Sequence, residues 1–231
     1  MNLAYRAKNE TAVGHIAALF TILVWGTTFV STKVLLQDFT PIEILFVRFV
    51  MGLVALFIIA PKVLGWMGWR HERLFMLAGL FGVTLYYLLE NIALTETLAT
   101  NVGVIVSVSP FFTALLERIV NKGNKLSIQF IIGFVVAMIG IGFISFSETG
   151  LHFSFSGDTL ALLAAGVWAC YSVCMTRIAL LGLSTIKATR RVFEYGILFM
   201  IPVLPLLGFA PEVSAFCNPI NVGNLVFLGL G

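Results

Sequence analysis

The chain has 231 residues, of which 59% are hydrophobic and only 11% are charged, with a formal net charge of +3 and a mean hydropathy of +1.02. Soluble domains carry about 25% charged residues, so this chain has too little polar surface to cover a water-soluble globule. The composition excludes a cytosolic enzyme, a nucleic-acid-binding protein and a disordered chain. It indicates an all-α polytopic membrane protein, which has the lipid bilayer as a partner because its helices lie in it.

Apolar stretches of near-spanning length follow one another along the whole chain, separated by short connections that hold the turn-forming residues and most charges. The first is longer than the core of a signal peptide, so we expect it to remain as a transmembrane helix. The length permits about seven complete helices and the start of an eighth. The predicted spans are residues 14–36, 41–60, 74–94, 101–120, 128–146, 159–181, 185–209 and a last one from 222 onward.

The positions of the basic residues predict the orientation in the membrane. Of the 14 lysines and arginines, all but three lie in the N-terminal leader, in the connections after the second, fourth and sixth spans, or at the span ends beside those connections. Cytoplasmic loops are enriched in these residues, so the N-terminus and these connections are predicted to be cytoplasmic. The pattern fits a multi-pass protein of a cell (inner) membrane.

A weak internal repeat is found when the sequence is shifted by about 143 residues. This shift places Trp25 on Trp168 and Arg48 on Arg191, which are rare residue types within apolar spans. It predicts a first repeat of five helices over residues 1–150 and an incomplete second repeat over 151–231. Five is an odd number, so the second copy would be inverted, as in many secondary transporters. A full second copy would end near residue ~290, so we expect the native chain to continue past Gly231.

Several short motifs are typical of one family of membrane proteins, and the chain resembles the EamA-type branch of the drug/metabolite transporter superfamily. The resemblance implies a ten-helix carrier, built as two copies of five, that moves metabolites by alternating access. The motifs are Trp25-Gly26-Thr27-Thr28-Phe29 with Lys33, Ser109-Pro110-Phe111-Phe112-Thr113, and Gly157-Asp158-Thr159-Leu160-Ala161.

Three charged residues lie at comparable depth in consecutive spans: Lys33, Arg48 and Glu90. An arginine at the centre of a membrane helix costs about 2.5–3.5 kcal/mol, so Arg48 is the strongest candidate for contacting substrate. One interpretation is that the three charges neutralise one another around a polar cavity, which would suit an amino acid or another zwitterion. The alternative is three side chains that reach the membrane surface independently. Glu90 is also a candidate carrier of a coupling proton.

The remaining candidates are aromatic, basic or helix-kinking. Trp25 and Trp168 either line the cavity or fill gaps between helices, and Tyr86, with its neighbour Tyr87, is a candidate to contribute a hydroxyl group to the cavity. Arg191 mirrors Arg48 in the repeat, although Glu194 lies three residues on and a local ion pair is the simpler account.

One proline and a set of glycines have predicted roles in the fourth and fifth helices. Pro110 is predicted to kink the fourth helix and to act as a hinge, but proline is common in membrane helices. Glycines of the fifth helix, such as Gly133 and Gly140, are assigned to helix packing, with a homodimer as the alternative.

A carrier for a small-molecule substrate, a metabolite or amino-acid exporter, is therefore the leading hypothesis. The alternatives are an intramembrane enzyme, a regulatory membrane protein and a non-transporting fragment. No catalytic residues, metal ligands or cofactor are predicted. The three histidines lie at helix ends or in loops, and the three cysteines form neither a disulfide framework nor a metal-ligand spacing.

Overall fold

The computed structural model describes residues 3–121, 126–146 and 154–230, and side chains within 14–120, 126–140 and 154–230. These ranges are all-helical, and no strand occurs within them. The predicted boundary between the repeats, at residue 150, lies outside the described residues. The principal helices are α1 (Leu3–Leu35), α2 (Pro41–Ile59), α3 (Trp69–Glu96), α4 (Ala99–Val120), α5 (Ile128–Phe146), α6 (Phe155–Ala179), α7 (Thr185–Met200) and α8 (Pro219–Leu230).

Within the described residues, five helices are long and apolar enough to cross a membrane: α2, α3, α4, α6 and the part of α1 from Gly14. The prediction of an all-α polytopic membrane protein is thereby confirmed. The helices also follow the predicted spans closely. One clear difference is α7, predicted to reach residue 209 but ending at Met200, because Pro202 cannot continue an α-helix. A one-turn helix, Val203–Leu206, follows it.

Local sequence sets the starts of two helices. At α2, Thr40 and Glu43 form a capping box, and Pro41 occupies the first helical turn where no backbone donor is needed. At α6, the Ser154 side chain accepts a hydrogen bond from the Gly157 backbone N–H at 3.2 Å. Both starts lie at the predicted outer end of the bundle, which is the end carrying the α1–α2 and α3–α4 turns.

Two of the long helices are irregular. In α3, a π-helical segment (Gly79–Leu85) separates two α-helical parts. It is fixed to α7, where Thr84 Oγ1 donates a hydrogen bond to the Gly196 carbonyl oxygen at 2.9 Å. In α4, the helix is interrupted between Ala99–Val106 and Ser109–Asn121, because Pro110 lacks the backbone donor and crowds the preceding turn.

The packing order of the helices places α3 at the centre, where it packs on α6, α7 and α2. On the other side, α2 packs on α7 and α8, and α8 also packs on α1. The described residues show no packing partner for Gly133 and Gly140 of α5. A methyl group added at either would meet no neighbouring atom within 4 Å among the described residues.

Close packing of glycines instead occurs between α3 and α7. A Cβ atom added at Gly79 would lie 2.7 Å from the Gly196 backbone nitrogen and 2.8 Å from the Val192 carbonyl oxygen. Backbone atoms cannot move aside as a flexible side chain can, so Gly79 is required for the helices to approach.

We expect Gly79→Val to destabilise the protein by about 1–3 kcal/mol through overpacking. The measurement is the thermal unfolding temperature in detergent micelles. Gly140→Val is the matched control, since it places the same side chain where there is open space. Equal unfolding temperatures for the two variants would show that the α3–α7 approach is not rigid.

Candidate functional site

Arg48 lies in the middle of α2 with its side chain facing into the bundle, and only 8% of the residue is exposed. Its guanidinium carbon lies 4.4 Å from the ring centroid of Tyr87 and 5.4 Å from that of Phe49. The positive charge is therefore stabilised by aromatic faces. Within the described part of the chain, its buried Nη1 atom has no hydrogen-bond partner.

Glu90, on α3, is the acidic residue of this site, and only 2% of it is exposed. Its carboxyl group lies beside the Tyr86 side chain and within electrostatic reach of Arg48. Among the described residues, no ion pair within 4.0 Å joins Glu90 and Arg48. The two opposite charges thus lie near each other in a buried site without neutralising each other by direct contact.

Aromatic rings surround this pair of charges. Trp168 of α6 has its ring centroid 4.7 Å from that of Tyr86 and 5.3 Å, edge to face, from that of Trp25 on α1. We call this group the central cluster, and it combines side chains from four helices. Its members are Trp25, Arg48, Tyr86, Tyr87, Glu90 and Trp168.

Tyr171 extends the central cluster and was not among the sequence candidates. Its ring centroid lies 4.9 Å from that of Trp168. The ring packs directly on the Gly82 backbone, where an added Cβ atom would come within 2.2 Å of it. The helical spacing of three residues from Trp168 is the signal that could have identified it.

Lys33 lies apart from the central cluster, at the predicted outer end. Its Nζ donates hydrogen bonds to the Leu94 and Thr97 carbonyl oxygens, where the helix dipole of α3 favours a cation. Thr97 Oγ1 in turn donates to Asp158 Oδ1 at 3.1 Å. We call Lys33, Thr97 and Asp158 the outer clasp, because they join α1, the α3–α4 turn and α6. The structure thus brings together two of the three charges that the sequence placed around one cavity.

Arg191 lies at the opposite, predicted cytoplasmic end. Its Nε is 3.5 Å from Glu194 Oε2, which is the local pair expected from the spacing, and its Nη1 is 3.8 Å from Glu72 Oε2. Tyr195 donates a hydrogen bond to Glu72 at 2.6 Å. Arg191 also donates to the Leu64 carbonyl oxygen, so this residue ties the α2–α3 connection to α7.

Arg190 lies at the same end and was not among the candidate residues from the sequence. Only 1% of it is exposed. It donates hydrogen bonds to the Ala60 carbonyl oxygen and, at 2.8 Å, to that of Lys62, while its guanidinium carbon lies 4.8 Å from the Phe57 ring centroid. Its Nε is 3.4 Å from Glu194, and that four-residue spacing was the available signal. We call Arg190, Arg191, Glu72 and Tyr195 the inner clasp.

The other candidates contribute differently. Pro110 is exposed on α4, in the first turn after the helix interruption. Within the described ranges, no group of three His, Cys, Asp or Glu side chains is placed to hold a metal ion. The central cluster is therefore suited to binding charged and apolar groups of a small molecule.

Comparison with known proteins gives a family match. The profile described as "EamA-like transporter family" matches residues 12–146, more than half of the chain. A transporter of Archaeoglobus fulgidus is 29% identical and is matched over 94% of this chain and 74% of its own length.

Two further relatives have names that mention amino acids. A protein of Streptantibioticus cattleyicolor, named a terminal-alkyne amino-acid exporter, is 25% identical over 90% of this chain and 71% of that protein. A protein of Escherichia coli, named an amino-acid metabolite efflux pump, is 28% identical over 82% and 61%. A solved crystal structure with 22% sequence identity shares the fold, with a TM-score of 0.64 over 91% of this chain and 71% of the solved one.

Proposed function

The chain belongs to the EamA-like transporter family, and from this membership and its central cluster we propose that it acts as a secondary-type exporter of small metabolites, amino acids among them. The observation that carries the proposal is the burial of Arg48 and Glu90, a basic and an acidic residue that form no ion pair within 4.0 Å of each other, among aromatic side chains. Ionisable residues inside a membrane bundle are costly and usually mark a substrate pathway. The names of the two amino-acid-exporting relatives support the same class of substrate.

We further propose that two inverted repeats open the site alternately to each side of the membrane. The 143-residue shift relates α1 to α6, α2 to α7 and α3 to α8. If a two-fold axis relates the repeats, each contact has a symmetry-related counterpart. The counterpart of the α1–α8 contact is an α6–α3 contact, and the counterpart of the α2–α8 contact is an α7–α3 contact. All four contacts are present, and Trp25 touches its counterpart Trp168. These pairings support the inverted arrangement.

The two clasps supply the contacts that would break in turn. The outer clasp joins α6, of the second predicted repeat, to α1 and the α3–α4 turn. The inner clasp joins α7, of the second repeat, to α3 and the α2–α3 connection. Each clasp therefore crosses between the repeats at one end of the bundle. The proposed orientation puts the outer clasp outside and the N-terminus in the cytoplasm of a bacterial-type inner membrane.

A disulfide across the outer clasp tests this mechanism. A Cβ atom added at Gly157 would lie 2.8 Å from the Thr97 Cβ, so a small shift brings the pair to disulfide distance. We expect the double variant Thr97→Cys, Gly157→Cys, reconstituted in liposomes as the native gene product, to lose amino-acid exchange on oxidation and regain it on reduction. Each single variant, oxidised in the same way, is the control. Full exchange by the oxidised, cross-linked protein would contradict alternating access through this end.

A further inference from the structure

We propose that the central cluster binds its substrate as a zwitterion, with Arg48 holding a carboxylate and Glu90 holding an ammonium group on the same small molecule. This assignment rests on the proposed function, because it names the substrate class of the same site. It makes the two charged residues the determinants of specificity, each for one end of the ligand.

The case for Arg48 begins with its unused donor. The Tyr87 face covers the guanidinium, yet Nη1 is buried and has no hydrogen-bond partner among the described residues. A buried donor left unpaired costs free energy, and more so when it is charged. A carboxylate satisfies a guanidinium better than a neutral acceptor does, since the charge-assisted hydrogen bonds are about twice as strong. The ligand group that fits Arg48 is therefore a carboxylate.

The case for Glu90 is the complementary one. The carboxyl group is buried and interacts with the Tyr86 hydroxyl from its own helix. The other charged or titratable groups near it are Arg48 of α2 and Tyr87, and Arg48 does not approach within ion-pair distance. An ionised carboxylate only accepts hydrogen bonds. The ligand group that fits Glu90 is therefore a strong donor, and an ammonium group supplies three N–H bonds.

Ligands with a single charge fit the cluster less well. A simple amine would neutralise Glu90 but leave the Arg48 donor unpaired, whereas a simple acid would leave Glu90 without a partner. A buried charge left without its partner weakens binding, because the unpaired group has lost its water without gaining a hydrogen bond. A zwitterion pairs both charges at once and adds no net charge to a buried site.

The aromatic part of the cluster indicates where the rest of the ligand lies. Tyr86 and Trp168 stand against each other beside the two charges, and Trp25 packs on the far side of Trp168. These faces present apolar surface, so they suit an apolar side chain of moderate size. Trp168 comes from α6, and the ligand would thus touch helices of both predicted repeats.

The test compares three ligands with one carbon skeleton: L-leucine, its decarboxylated analogue 3-methylbutylamine, and its deaminated analogue 4-methylpentanoate. Binding to the purified native gene product is measured by calorimetry. We expect wild-type protein to bind leucine at least about tenfold more tightly than either analogue. Arg48→Gln should remove the preference for leucine over the amine. Glu90→Gln should remove the preference for leucine over the acid.

Arg73→Gln and Glu212→Gln are the matched controls, because they make the same chemical changes at exposed residues and should keep both preferences. If a site variant does not fold, Arg48→Lys or Glu90→Asp replaces it, and each should keep both preferences with weaker binding. Unchanged preferences in the two Gln variants would overturn the assignment, as would wild-type protein that exports metabolites but binds none of the three ligands. Absence of any metabolite transport by the reconstituted protein would instead overturn the proposed function.

Discussion

Arg48→Met in the native gene product should lower amino-acid exchange by at least about thirtyfold while leaving the protein inserted and folded. Methionine is a flexible apolar side chain that fills gaps in a core, and Arg48 makes no ion pair within 4.0 Å with Glu90 that its replacement would break. Apart from aromatic faces, Arg48 has a buried donor without a partner among the described residues. Removing the Arg48 charge should therefore change the free energy of unfolding little and weaken ligand binding strongly. The measurements are exchange in proteoliposomes and thermal unfolding in micelles.

A purely structural role for Arg48 makes the opposite prediction. If its contact with Tyr87 mainly holds α2 against α3, Arg48→Met would lower the unfolding temperature, and exchange would fall only in proportion to the folded fraction. Tyr87→Leu separates the two accounts, because it removes the ring that covers the guanidinium but keeps the charge. Exchange in Arg48→Met close to the wild-type rate would exclude Arg48 from the substrate site.

Arg190→Ala is expected to be the most destabilising of the single substitutions considered, by about 2–4 kcal/mol. The side chain is buried, donates to the Ala60 and Lys62 carbonyl oxygens just beyond α2, and lies on the Phe57 ring. Its loss leaves those carbonyl groups without their cation at the C-terminal end of a helix, where a positive charge is favourable. The measurement is the free energy of unfolding in mixed detergent micelles.

The control for Arg190 is Arg73→Ala, an exposed arginine whose loss should change stability by less than about 0.5 kcal/mol. Limited proteolysis gives a second readout, since residues 60–68 should become easier to cleave when Arg190 no longer holds them. Equal stability of the two variants would mean that solvent or lipid headgroups satisfy the freed carbonyl groups.

Helix positions were largely predictable from the sequence because the bilayer requires long apolar runs, and these are visible without any knowledge of contacts. Prolines account for the clearest deviations, at the end of α7 and within α4. The π-helical segment of α3 was not predictable. Its residues are four apolar ones, two glycines and Thr84, and the contacts that hold the segment are with α7.

The site could be predicted in part. Arg48, Glu90 and the two tryptophans were identifiable because charge and large aromatics are rare at mid-membrane depth, and the structure brings these residues together. Lys33, Arg190 and Arg191 were harder to place. A long basic side chain near a helix end can point to the membrane surface, to a neighbouring helix or to backbone carbonyl groups. Only the tertiary contacts decide among these.

The π-helical segment also changes the phase of α3. An α-helix advances about 100° per residue, and a π turn holds one residue more than the i→i+4 pattern. The extra residue shifts the helical phase of everything after it, including Tyr86, whose ring packs on Trp168. Helical-wheel projections of α3 must therefore be drawn in two frames, one for residues 69–78 and one for 86–96. In a single continuous frame, every residue from Tyr86 onward would be drawn about 100° away from its place around the helix axis.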